Sequence, residues 1–166
     1  MQKQSMPEFP AVRLAHTDAD FLRVYPVMRV LRPHLSASDM FLERARRQEV
    51  QSGWKLIFVE DRCEPVACAG FRISEWLAYG KALYVDDLVA LETHRGRGFA
   101  DALMYWMMDH AEREGCQAFH LDSGTQRLAA HKFYHRLGFT ITSFHFARAL
   151  RPFGLDSQDS SSAADP

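Results

Sequence analysis

The sequence predicts an α/β fold: a mixed, mostly antiparallel sheet with helices on both faces. Three observations carry that expectation. Apolar residues fill short stretches at Trp54–Glu60, Val66–Trp76 and Lys81–Leu91, each bounded by turn-forming residues, as strands are. From Ala100 the apolar positions switch to helical spacing, at Leu103, Met104, Met107, Met108 and Ala111. Between these regimes lies a turn holding Gly96 and Gly98, which lets the backbone bend tightly and approach a ligand without side chains in the way.

Val12-Arg13-Leu14 reads as a short first strand. Thr17-x-x-Asp20 has the form of a capping box, with Asp where Glu or Gln is preferred. The helix that follows uses Phe21, Val24, Tyr25, Met28 and Leu31, should kink or restart at Pro26, and ends before Pro33. A second helix starts near Ser36 or Ser38, uses Met40, Phe41 and Ala45, and stops before Gly53. The three strands between Trp54 and Leu91 form an antiparallel meander, with Asp61–Pro65 as one turn. The helix after the glycine turn runs to about Glu114, with Gly115 closing it. Phe119–Asp122 is the next strand, a helix spans about Gln126 to Leu137, Gly138 ends it, and Phe139–Leu150 is the last strand. Residues 1–10 and 151–166 are expected to be disordered, the latter rich in Ser and Asp with little to bury. Residues 11–150 then make up one folded domain.

The composition, 47% hydrophobic and 25% charged over 166 residues, suits a soluble globular chain with a substantial core. A net charge of −1 gives no bulk signal for nucleic acid or a membrane surface. Arginines do cluster at Arg29, Arg32, Arg44, Arg46 and Arg47, which reads as a solvated helix face, and again at Arg95 and Arg97. Cys63, Cys68 and Cys116 have no metal or disulfide spacing, and the eight histidines form no metal motif, so no metal is expected. No apolar run reaches membrane-spanning length and the first residues lack the apolar segment of a signal peptide, so the cytoplasm is the expected location.

The stretch Asp86 to Ala100 organises the rest. It reads as a strand end, a turn rich in Gly and Arg, and a helix start, whose free amides and positive dipole end favour a phosphate group. Gly96-x-Gly98 also begins a dinucleotide fingerprint, but its third small residue falls on Asp101, where a carboxylate would crowd a pyrophosphate. That reading keeps one point in its favour, because Asp122 lies about where a ribose-binding acid belongs. A third reading fits better. Arg95-x-x-Gly98-x-Ala100 resembles the Q/R-x-x-G-x-G/A signature of the GNAT superfamily of N-acetyltransferases. Ala130-x-x-Phe133-Tyr134-x-x-x-Gly138-Phe139 resembles that family's second signature, at a family-like distance downstream. Together the motifs span Leu83 to Phe139, about a third of the chain.

The resemblance implies a GNAT-like fold, with acetyl-CoA as co-substrate. It implies that the main-chain groups of Leu88, Val89 and Ala90 pair with the pantetheine arm. The turn Arg95, Gly96, Arg97, Gly98, Phe99, Ala100 and Asp101 would then hold the pyrophosphate. The family often has an Asn seven residues before its motif tyrosine; here that residue is Arg127, which could reach a CoA phosphate or face water.

Acetyl transfer to an amine needs a neutral nucleophile, a polarised thioester carbonyl and a protonated leaving thiol, with in-line placement supplying much of the rate. No covalent nucleophile is required. The candidate bases are Asp87, where many family members carry an acid, and Asp86; adjacent strand residues point to opposite faces unless a bulge intervenes. Glu92 reads as merely solvated. Tyr134 is the candidate general acid toward the thiolate, beside a buried stripe marked by Leu128, Phe133 and Leu137. His120, Asp122 and Ser123 end the next strand and could line the site. The acceptor pocket is expected between the helices at Phe21–Leu31 and Met40–Gln48 and the strand at Phe144–Phe146, whose aromatics hint at an apolar or aromatic amine.

The expected function is therefore acetyl transfer to a primary amine, a small molecule in preference, by direct attack in a ternary complex. A protein lysine or N-terminal acetyltransferase and a non-catalytic acyl-CoA-binding module are the alternatives. Neither nucleic acid nor membrane is an expected partner, and a homodimer is the oligomer to test for.

Overall fold

The computed structural model describes residues 9–150; the expected disorder of residues 1–8 and 151–166 lies outside them. The chain divides into two compact units between Leu121 and Asp122. In the first, the elements run β1 (Val12–Leu14), α1 (Asp18–Leu31), α2 (Ser38–Ser52), β2 (Lys55–Asp61), β3 (Glu64–Trp76), β4 (Gly80–Ala90), α3 (Phe99–Arg113) and β5 (Ala118–Leu121). The second unit carries α4 (Leu128–Arg136).

Sheet order follows chain order, β1-β2-β3-β4-β5. The first four strands are antiparallel neighbours, and β5 joins β4 in parallel after the α3 crossover. The expected meander is thus present, extended at both edges. Side chains alternate across this sheet, and each face has its own helical cover. On one face α1 and α2 bury Phe21, Val24, Met28, Phe41 and Ala45 with Trp54, Phe58 and Cys68. On the other, Phe71 meets Trp106 and His110 of α3 edge-on, and Leu103, Met104 and Met107 are fully buried.

The caps explain the helix boundaries. Thr17 accepts from the Asp20 amide and Asp20 accepts from the Thr17 amide, so the capping box forms with Asp in the third position. Gly53 ends α2 at φ 64°, and Gly115 follows the end of α3 at φ 71°. The expected restart at Pro26 does not occur: α1 runs through it as a single helix. Pro26 lies on its exposed side, where water can satisfy the carbonyl that the missing N–H leaves free, while Phe21, Val24, Val27, Met28 and Leu31 anchor the opposite side.

Two expectations fail in the second unit. Residues 139–149 form no strand, and Ile141, Phe144 and Phe146 are 71%, 81% and 92% exposed. The alternation slips between Ile141 and Phe144, so no single strand face collects all the apolar side chains. Nor is Leu128 part of a buried stripe: it is 67% exposed, while Phe133, Tyr134 and Leu137 are half-buried. Strand β5 also ends at Leu121, one residue short of Asp122, and α4 starts two residues later than expected.

Candidate active site

The site begins with an irregularity in the β3–β4 ladder. Gly70 faces Asp87 and Phe71 faces Val85, so Asp86 is an extra residue bulged out of β4. A bulge lets consecutive side chains escape strict alternation. Asp87 lies opposite Gly70, on the face covered by α1 and α2. Asp86 turns to the same face, where Arg72 grips it with two bonds, Nε to Oδ2 at 2.9 Å and Nη2 to Oδ1 at 2.7 Å. Arg72 in turn donates to Gln48 and Ser52 of α2.

Asp87 is held from the other side. Arg32, the residue that caps the C-terminus of α1, donates from Nε to Asp87 Oδ1 at 2.7 Å and from Nη2 to the Asp86 carbonyl at 3.0 Å. One arginine therefore ties the helix end to both residues of the bulge. Burial raises the Asp86 carboxyl above its ordinary range, against the opposing pull of Arg72, while the Asp87 charge adds to the rise. Arg32 thus leaves the solvated arginine face expected of it, and so does Arg46. Arg46 bonds Asp18 and Glu49 and lies 4.4 Å above the Phe21 ring. Neither Arg32 nor Arg72 could be picked out in advance, because their partners lie 55 and 14 positions away.

Past the bulge the strand changes neighbours. The β4–β5 ladder ends at Val85↔Leu121, whereas β4 continues to Ala90, with Leu88, Val89 and Ala90 paired to Ala69, Cys68 and Ala67 of β3. A short 3-10 turn at Glu92–His94 leads into the glycine turn. Gly96 and Gly98 have φ 71° and 82°, a left-handed conformation that side chains disfavour. Gly98 is the N-cap of α3 and offers the helix start no side-chain cap. Arg97 bonds Asp61 at 3.0 Å and lies 5.1 Å over the Phe99 ring; His94 Nε2 is 3.4 Å from the same carboxylate. The Arg95 amide donates to the Glu92 carbonyl, while its exposed side chain makes no hydrogen bond or ion pair among the described residues. A helix start without a side-chain cap and an exposed guanidinium beside it fit a phosphate-bearing cofactor.

In β5, His120 lies 4.4 Å from the Tyr79 ring, and its Nε2 is buried without a partner. In the second unit, Asp122 approaches His145 Nδ1 at 3.2 Å. Arg127 is the N-cap of α4. The Tyr134 ring meets Phe133 and Phe139 edge-on, and its hydroxyl has no hydrogen-bond partner among the described residues. Burial raises its pKa, and Arg127 works against that rise.

Comparison with known proteins agrees with this geometry. The family model described as "Acetyltransferase (GNAT) family" matches residues 21–139. The chain is 30% identical over 127 residues to the uncharacterized N-acetyltransferase YhdJ of Bacillus subtilis (strain 168), covering 76% of this chain and 89% of that protein. It is 32% identical over 66 residues to the aminoalkylphosphonate N-acetyltransferase of Salmonella typhimurium (strain LT2), covering 40% and 43% respectively. Its fold superposes with a TM-score of 0.73 on AAC(6')-Iy, solved with the bisubstrate analog CoA-S-monomethyl-acetylneamine, at 15% identity and 86% and 98% coverage. A strand that bulges beside its acids and then feeds an uncapped glycine turn, matched along most of the folded chain by one family, places this protein among the GNAT N-acetyltransferases.

Proposed function

We propose that the protein transfers the acetyl group of acetyl-CoA to a small primary amine, by direct attack within a ternary complex. The observation that carries this reading is the continuity of one segment: β4 presents the Asp86–Asp87 bulge and, twelve residues after Asp87, the chain starts α3 behind Gly98, an N-cap without a side chain. The relatives named for acetylation of an aminoalkylphosphonate and for a CoA–aminoglycoside analog both concern small amines.

Bound acetyl-CoA supplies an acyl group already activated as a thioester. The amides from Gly96 to Asp101 receive the pyrophosphate, with Arg95 and Arg97 beside them, and the main chain of Leu88–Ala90 aligns the pantetheine. Arg127 is a further candidate for a CoA phosphate. Asp86 takes the proton of the acceptor ammonium, directly or through a water, and the neutral nitrogen forms its bond to the acetyl carbon as the carbon–sulfur bond breaks. The raised pKa of Asp86 brings it nearer the operating range of a base and shifts weight to it from Asp87. Asp87 stays a candidate, with Arg32 as its fixed partner. Tyr134 donates a hydrogen bond to the departing sulfur. Its raised pKa keeps the hydroxyl protonated, so donation strengthens as charge develops and the proton follows to the thiolate; the nitrogen sheds its second proton to water as the amide forms, and water returns a proton to Tyr134.

The test is a screen of amines that follows release of the CoA thiol. Turnover with small amines is expected. Turnover confined to peptides would favour a protein acetyltransferase, and tight acetyl-CoA binding without turnover on any amine or peptide would favour a binding module.

A further inference from the structure

The bulged face of the sheet continues, away from the glycine turn, into a run of aromatic rings. Arg72 lies opposite Tyr84 and Trp76 opposite Gly80, so Arg72, Ser74, Trp76 and Tyr84 share the face to which both aspartates turn. His120 is paired with Tyr84 across the parallel β4–β5 ladder and joins that face. Trp76 stacks on Tyr84 with centroids 6.5 Å apart, Tyr79 lies 6.3 Å from Trp76, and Tyr79 covers His120 at 4.4 Å. Trp76 and Tyr79 are 43% and 46% exposed. The hairpin tip thus presents aromatic surface to solvent on the face that carries the acids.

Charge narrows what this floor can hold. The ionised groups on it are matched: Arg72 with Asp86 and Arg32 with Asp87, each at 2.7 Å. Among the described residues, no unpaired charge on this face awaits a second ionic group of the acceptor. One buried polar atom on this floor has no hydrogen-bond partner among the described residues, the Nε2 of His120 beneath Tyr79, and a buried ring nitrogen left so is unfavourable. Movement of the Tyr79 ring, which sits at an exposed turn, would open that nitrogen to a ligand.

The geometry points to Trp76, Tyr79, Tyr84 and His120 as the acceptor subsite, taking the aromatic body of an arylalkylamine whose amino group reaches the Asp86–Asp87 bulge. This rests on the amine-acetylation reading above and names its substrate class. Tyr84 and Asp86 lie two positions apart in β4, about 7 Å at the usual rise. A flexible spacer of a few carbons between ring and nitrogen covers that span. Aromatic stacking in such a floor discriminates an aryl from an alkyl body beyond simple area burial.

The experiment compares kcat/KM for 4-phenylbutylamine and hexylamine in the wild-type protein and in Trp76→Ala and Tyr79→Ala. Melting temperature and size-exclusion behaviour are recorded for each. The aryl amine should exceed the alkyl amine at least tenfold in the wild type. That ratio should fall at least fivefold in both variants through KM for the aryl amine. A wild-type ratio near one overturns the proposal, and so does a ratio that survives in folded Trp76→Ala. A variant that changes oligomeric state while keeping its selectivity also overturns it, by making the hairpin a contact between copies of the chain. If no amine is turned over at all, saturation-transfer NMR with 4-phenylbutylamine separates the two readings. Ring protons saturated by the wild type and not by Trp76→Ala would keep the subsite while the acetylation reading falls. No saturation would end both.

Discussion

Asp86 and Asp87 are consecutive in a strand, yet both carboxylates turn to the same face of the sheet, each held at 2.7 Å by a different arginine. The bulge opposite Gly70 makes this possible. It converts a pair that alternation would have split into two candidate bases side by side.

The two acids can be told apart by their arginines. If Asp86 is the base, Asp86→Asn lowers kcat on the order of 10²–10⁴-fold at neutral pH, and less at high pH, where more of the amine is already neutral. The raised pKa of Asp86 puts the acid limb of the kcat profile above the ordinary carboxylate range, because the base works only when ionised. Arg72→Gln removes the cation that most favours ionisation, so the limb should move to higher pH. Arg32→Gln should move it less, Arg32 being the weakest of the named influences on Asp86. Should Arg32→Gln move the limb more, and Asp87→Asn abolish turnover, Asp87 is the base.

Gly98→Glu should abolish acetyl-CoA binding, since a negative side chain would enter the space in front of the α3 amides. Calorimetry checks it. The wild type should respond to acetyl-CoA; a chain that bound NADH tightly and ignored CoA would restore the dinucleotide reading of the turn. Gly98→Ala separates strain from charge. The added Cβ would make only ordinary contact with Phe9, at 3.9 Å, but φ is 82°. A loss of about 1–2 kcal/mol in stability is expected from the left-handed conformation alone.

Tyr134→Phe keeps the ring against Phe133 and Phe139 and removes a hydroxyl that bonds to nothing among the described residues. Melting temperature and acetyl-CoA affinity should hardly change, while kcat falls at least tenfold. A drop in stability with normal turnover of the folded fraction would make Tyr134 structural.

Gly70→Ala tests the packing that supports the bulge. A Cβ there would lie 2.8 Å from Trp54 Nε1, and Trp54 is 2% exposed. Overpacking of this kind is unfavourable by about 1–3 kcal/mol. Chemical denaturation should show that loss. Near-wild-type stability would mean that the indole has an alternative rotamer.

The sequence by itself determined what local forces decide. The glycine turn, the helix after it, the capping box at Thr17 and the stops at Gly53 and Gly115 depend on residues a few positions apart, and each is where it was expected. The strands of the meander were legible because hydrophobic stretches and turns between them are also local signals. The second motif placed Tyr134 on a helix for the same reason. Tertiary structure decided the rest. Pro26 stays within one helix because burial on the opposite side outweighs one missing hydrogen bond. Residues 139–149 form no strand because strand formation needs a partner in register, which propensity does not provide. The partners of Asp86 and Asp87, and the direction both side chains take, follow from a one-residue slip between β3 and β4. Such a slip is a property of two strands meeting, and neither strand records it alone.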